Sequence, residues 1–194
     1  GAEPIFNGVE PHSVQARPRI IRAVSTPGLD HMTGDGTEAY PRGSGLKRFH
    51  RHLLFIKPDV LIVADDISLD KASNLELRFH PEQQQSERDG TAFFMRGERA
   101  VLRLDPLTIE DVEVTAEKLK TLPKEDNGEI KLMHTVQLKT KKAEWRNAVA
   151  LSWAKKDNTP VKVVLNKDGN IWKFKVDDRI VILNWETGKS EVQQ

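Results

Sequence analysis

Cysteine is absent from the 194 residues, which excludes disulfides, thiolate zinc sites and cysteine nucleophiles. The compartment stays open, because a cysteine-free chain suits an oxidising exterior as well as the cytosol. Charge of one sign is also lacking. The 30 basic and 29 acidic residues leave a formal charge of +1, which argues against holding nucleic acid by overall field, though not against a local basic patch. No apolar run approaches the ~18–20 residues that span a bilayer as a helix, so no membrane span is expected. The Gly-Ala-Glu-Pro start has neither the basic lead nor the apolar core of a signal peptide, as expected of an intracellular protein or of a chain trimmed from a longer one. There is no glycine-rich phosphate loop, nucleophile elbow or HExxH sequence, and so no motif for an organic cofactor. Tyrosine occurs once.

What is present is β-patterning. Residues 1–19 read as an extended, irregular lead-in, and Arg19 to Ser25 as a first strand. Leu46 to Ile56 and Val60 to Ile67 form a hairpin across Lys57-Pro58-Asp59, and Leu75, Leu77 and Phe79 alternate with Glu76, Arg78 and His80. Further strands are expected at Thr91 to Met95, Ala100 to Leu104, Glu113 to Lys118, Ile130 to Lys139 and Trp145 to Trp153. Val161 to Leu165, Ile171 to Val176 and Ile180 to Trp185 make a closing meander, its first turn carrying the Asp168-Gly169 hairpin signal. Strands at roughly ten-residue spacing, with no helical periodicity, predict a single all-β domain over residues 1–194: an antiparallel β-sandwich of about a dozen strands.

The chemistry concentrates between Asp30 and His80, which holds four of the six histidines and the only tyrosine. The Asp30 to Tyr40 segment is placed on a loop or strand edge, because Gly34 and Gly36 bracket Asp35. Along Leu46 to Ile56 one strand face presents Arg48, His50 and His52 in succession. These residues either cap a solvated strand end, contact a polyanion, with Arg48 gripping a carboxylate in bidentate fashion, or chelate a metal. His80, fixed by Pro81, is either satisfied by a backbone carbonyl or serves as a metal ligand opposite Asp30 or Asp35, with His12 or a residue outside these 194 as the other imidazole. Tyr40 and His31 are the proton-transfer candidates, each with a plain packing or loop role as its alternative. Trp145, Trp153, Trp172 and Trp185 suit sugar stacking or, on their apolar alternation, the core.

At these residues the chain resembles the C-terminal β-domain of the heparinase II/III-like polysaccharide lyases. The resemblance is carried by Asp30-His31-Met32-Thr33-Gly34-Asp35-Gly36-Thr37-Glu38-Ala39-Tyr40, by Arg48 to Asp59, by Val63-Ala64-Asp65-Asp66-Ile67 and by Arg78-Phe79-His80. It implies an upstream α/α toroid in the same polypeptide, with the active site in the cleft between toroid and sandwich. It further implies β-elimination on a uronic-acid-containing acidic polysaccharide, such as a glycosaminoglycan, in the bacterial periplasm or outside the cell. In that family the toroid carries the main proton transfers, so the isolated sandwich is expected to be inactive. Some members bind zinc in the sandwich, and His80 is the positional match. His31 departs from the pattern, since family members often have an aromatic residue there. Two competing expectations remain: a noncatalytic carbohydrate-binding or structural sandwich, and a metal-dependent hydrolase built on His50, His52 and His80.

Overall fold

The computed structural model describes residues 17–40, 43–82, 85–120 and 132–193, and within them the chain is antiparallel β-structure with no α-helix. The strands are β1 (Arg19–Ser25), β2 (Leu29–Asp35), β3 (Leu46–Ile56), β4 (Val60–Phe79), β5 (Glu87–Asp89), β6 (Ala92–Arg96) and β7 (Ala100–Pro106), followed by β8 (Glu113–Lys120), β9 (Leu132–Lys155), β10 (Val163–Asp168), β11 (Ile171–Val176), β12 (Arg179–Asn184) and β13 (Lys189–Gln193). They form two sheets. The larger runs β1-β2-β3-β4-β9-β7-β6-β5, with β8 also paired to β9, and the smaller is the meander β10-β11-β12-β13.

The sheets are held by alternation. On β11, Trp172, Phe174 and Val176 point inward while Lys173 and Lys175 point to water. Phe174, Val181 and Leu183 of the small sheet meet Leu54, Ile56, Val60 and Ile62 of the large one, all fully buried. Each such side chain contributes roughly 1.5–3 kcal/mol of transfer free energy. A second apolar cluster, around Phe93, Met95, Leu104, Val136 and Leu138, fills the large sheet's far end.

Three features differ from the sequence reading. The segment from Leu29 to Asp35 is a strand inside the sheet, between β1 and β3, rather than a loop or edge. Gly34 sits in ordinary strand pairing with Arg51, and the inward alternation of Leu29, His31 and Thr33 decides the conformation. The runs expected as separate strands merge in pairs into β4, of 20 residues, and β9, of 24. The polar stretches between them, which read as gaps, lie where β4 pairs with β9 through a register shift between Ser68 and Ser73. Finally, β5 and β13 are too short and polar to stand out, and they exist because a neighbouring strand supplies their backbone partners.

Candidate functional site

Because successive strand residues face opposite ways, the Asp30–His80 stretch delivers its polar side chains to both faces of the large sheet. On the face covered by the small sheet, β2 pairs with β3 so that His31 lies opposite Leu54, Thr33 opposite His52 and Asp35 opposite His50. Leu54 and Ile56 belong to the core, and the polar residues continue the same face outward past the small sheet.

The innermost of these form a closed cluster. His31 Nε2 is 3.0 Å from His52 Nδ1, and Thr33 Oγ1 is 3.0 Å from both. Ser190 Oγ of β13 is 2.7 Å from His31 Nδ1, which ties the two sheets together. The His52 ring meets Trp185 edge-on at 5.3 Å. Burial lowers both imidazoles to about pKa 4, helped for His31 by the Arg22 charge and for His52 by His31 and His50. Both rings are therefore neutral at pH 7. Both nitrogens of His31 and Nδ1 of His52 are engaged inside the protein, and the His52 ring also borders the open depression further out.

Further out, Arg48 Nε is 3.0 Å from Asp66 Oδ2, and Arg146 Nε is 3.3 Å from Asp66 Oδ1. Arg48 also reaches Glu144 at 3.5 Å, and Arg146 donates to Asn170 Oδ1 at 2.7 Å. His50 lies 3.9 Å from Asp35. Burial works to raise the Asp35 carboxyl, but hydrogen bonds from Thr37 and Arg19 outweigh it and hold the group below its ordinary value. Arg48, His50, Asp66 and Arg146 border an open depression of about 400 Å³, closed on the small-sheet side by Trp185 and the turn at Glu186, Thr187 and Gly188.

The opposite face carries a longer groove of about 790 Å³. There Arg51 grips the buried Asp65 in bidentate fashion, Nε to Oδ1 at 2.7 Å and a terminal nitrogen to Oδ2 at 2.9 Å. The Arg51 guanidinium stands 5.3 Å from the Phe49 ring centre, and Tyr40 meets the same ring edge-on at 5.9 Å. The Tyr40 phenol is pushed up by burial; the Arg51 charge opposes the shift and the Asp65 charge adds to it. It is a neutral donor at pH 7.

The structure thus brings Arg48 and His50 together at the depression and sets His52 beneath it, but separates His31 from Tyr40. It does not assemble the expected metal ligands. Asp30 and Asp35 have opposite parity on β2, and Asp30 is engaged by Lys57 at 2.8 Å and Ser25 at 2.6 Å. His80 lies beyond the far end of β4, where its Nδ1 is 3.1 Å from Thr135 Oγ1. His12 lies outside the described residues. Among the described residues no three histidine, aspartate or glutamate side chains gather in a way that could hold an ion, so His80, Asp30 and Asp35 do not fit a zinc site. Sequence reasoning gave no role to Arg51, Asp65, Asp66 and Arg146. The signal was there: two adjacent acids in an apolar strand must each find a cation, one on either face.

The molecule so defined is a two-sheet β-sandwich with a polar recess on each face of its large sheet. Compared with known families, its sequence matches the heparinase II/III-like C-terminal domain over residues 8–191, and the chain belongs to that family. Similar solved structures include the heparan sulfate lyase HepC of Pedobacter heparinus, at TM-score 0.66 and 12% identity, and the heparinase III product of gene BT4657, at 0.67 and 13%. In both cases the match covers 91% of this chain and 27% of the other, so the chain spans about a quarter of their length. A search of curated proteins finds no match. No helix of the described residues is long and apolar enough to cross a membrane.

Proposed function

We propose that the chain is the sandwich part of a polysaccharide lyase that cleaves a uronic-acid-containing acidic polysaccharide by β-elimination, and that it is inactive without the rest of the polypeptide. The observation that carries this reading, given the family, is the groove in which a neutral Tyr40 phenol stands beside the Arg51–Asp65 pair. In the reaction a base removes the proton at C5 of the uronate, the C4–O bond breaks as the C4=C5 double bond forms, and an acid protonates the departing oxygen. A phenol held neutral by burial suits that last role. Arg51 fixes Asp65 in place at the groove wall. Heparan sulfate lyases share the fold, which supports an acidic glycan as substrate and, with it, a periplasmic or secreted protein.

The test is product formation by the complete polypeptide. Incubated with uronate polysaccharides, it is expected to release unsaturated, ultraviolet-absorbing ends, and Tyr40→Phe is expected to lower that rate by roughly 10²-fold or more with the circular dichroism spectrum retained. Absence of unsaturated product from every uronate polysaccharide tried would sink the reading. A second reading, a noncatalytic saccharide-binding sandwich, is favoured by the depression on the other face, where Arg22, Arg48, Arg146 and Trp185 border one recess.

A further inference from the structure

We propose that the depression beneath the β12–β13 turn binds one oxyanion, the sulfate or carboxylate of an acidic saccharide, at a site separate from the Tyr40 groove. Only the saccharide half of this inference rests on the proposed function. The lining supplies three guanidiniums, from Arg22, Arg48 and Arg146. Asp66 is shared between Arg48 and Arg146, Arg48 also reaches Glu144, and Glu186 borders the recess, so among the described residues Arg22 is the guanidinium of this lining without a carboxylate in an ion pair. Arg22 makes no ion pair or hydrogen bond among the described residues, and its Nε is buried without an acceptor.

A second observation comes from the other sheet. Trp185 lines the same depression, is only 6% exposed, and its indole Nε1–H has no acceptor. A buried donor left unpaired is costly, and here two donors from different sheets border one recess while the Asp66 oxygens are already engaged. The partner that completes this set is an acceptor with several oxygens and negative charge. Arg146 stacks over the Trp185 ring at 5.3 Å, so the indole and one guanidinium hold each other in place. The depression, at about 400 Å³, has room for one sugar residue carrying its anionic group. Its rim is wet: the side chains of Arg48 and His50 are 37% and 31% exposed. That gives a ligand access.

The indole N–H region of a ¹H–¹⁵N spectrum of this chain reads the site directly, because only four tryptophans contribute and Trp185→Phe identifies the relevant signal. Sodium sulfate, a sulfated disaccharide and a uronate disaccharide are titrated at constant ionic strength against sodium chloride. A saturable shift of the Trp185 signal with sulfate and with at least one saccharide is expected. Arg22→Gln, on the exposed edge strand, should weaken binding roughly tenfold. The proposal is overturned if the Trp185 signal does not move, if inorganic sulfate binds and neither saccharide does, or if Arg22→Gln binds like the parent. A complete polypeptide that cleaves uronate polysaccharide while the Trp185 signal stays unmoved leaves the lyase reading standing and removes this one. Saccharide binding at Trp185 without cleavage by any complete polypeptide does the reverse.

Discussion

Acid should loosen the joint between the two sheets. His31 and His52 share a 3.0 Å nitrogen–nitrogen contact that one proton can bridge, and a second proton there would turn two N–H groups against each other and leave one ring charged in a buried site. Burial holds each imidazole near pKa 4 in the folded protein, against about 6.5 in the unfolded chain. Below about pH 6.5 the unfolded chain binds protons that the folded one refuses. The stability is therefore whole above pH 6.5 and is lost as the pH falls toward 4. Taken independently, each ring accounts for a loss of about 2 kcal/mol by pH 5. Urea unfolding at pH 7.5, 6.5, 5.5 and 5.0 measures it. His134 is shifted in the same direction, by burial and then by Lys118, so the comparison belongs in a His134→Gln background. Asp30 and Asp35 are held below their ordinary values, and their loss comes at lower pH. A flat stability between pH 7.5 and 5, or either imidazole titrating by NMR above pH 6, would refute the argument.

Two further outcomes follow from the ion pairs and the core. Arg51→Met leaves Asp65, 1% exposed, without its bidentate partner and should cost about 3–5 kcal/mol in urea melts; a loss under 1 kcal/mol would mean that another cation reaches Asp65. Phe174→Ala empties the centre of the inter-sheet core and should cost about 3–5 kcal/mol, and a variant that melts with the parent would show that the small sheet is not held by this contact.

The pairing of Asp65 with Asp66 explains why the two recesses lie back to back. Neighbouring strand residues point to opposite faces, so one acid recruits Arg51 to the Tyr40 groove and the other recruits Arg48 and Arg146 to the depression. The same step from Arg48 to Arg51 along β3 separates the two guanidiniums. Both acids lie in a central strand with almost no exposure, so each must be paired, and the arginines are thereby fixed in position as well as charge.

Strand identity is local physics, and there the sequence sufficed. The bounds of Arg19–Ser25, Leu46–Ile56 and Ile171–Val176 were legible from alternation and turn residues alone, and so was the all-β class. The arginines and the tyrosine that face the recesses were visible as residue types. What lay beyond the sequence was which faces are covered. Nothing local says that a strand as polar as Lys189–Gln193 brings Ser190 onto His31 and turns an apparent active-site histidine into a buried, neutral tie. Nor does spacing reveal that β4 and β9 run unbroken past their polar stretches, carrying His80 to the far end of the sheet from Asp30 and Asp35. Parity along a strand is set by the chain's own geometry. Burial of one face is set by a sheet built from residues more than a hundred positions away, and only the tertiary structure decides it.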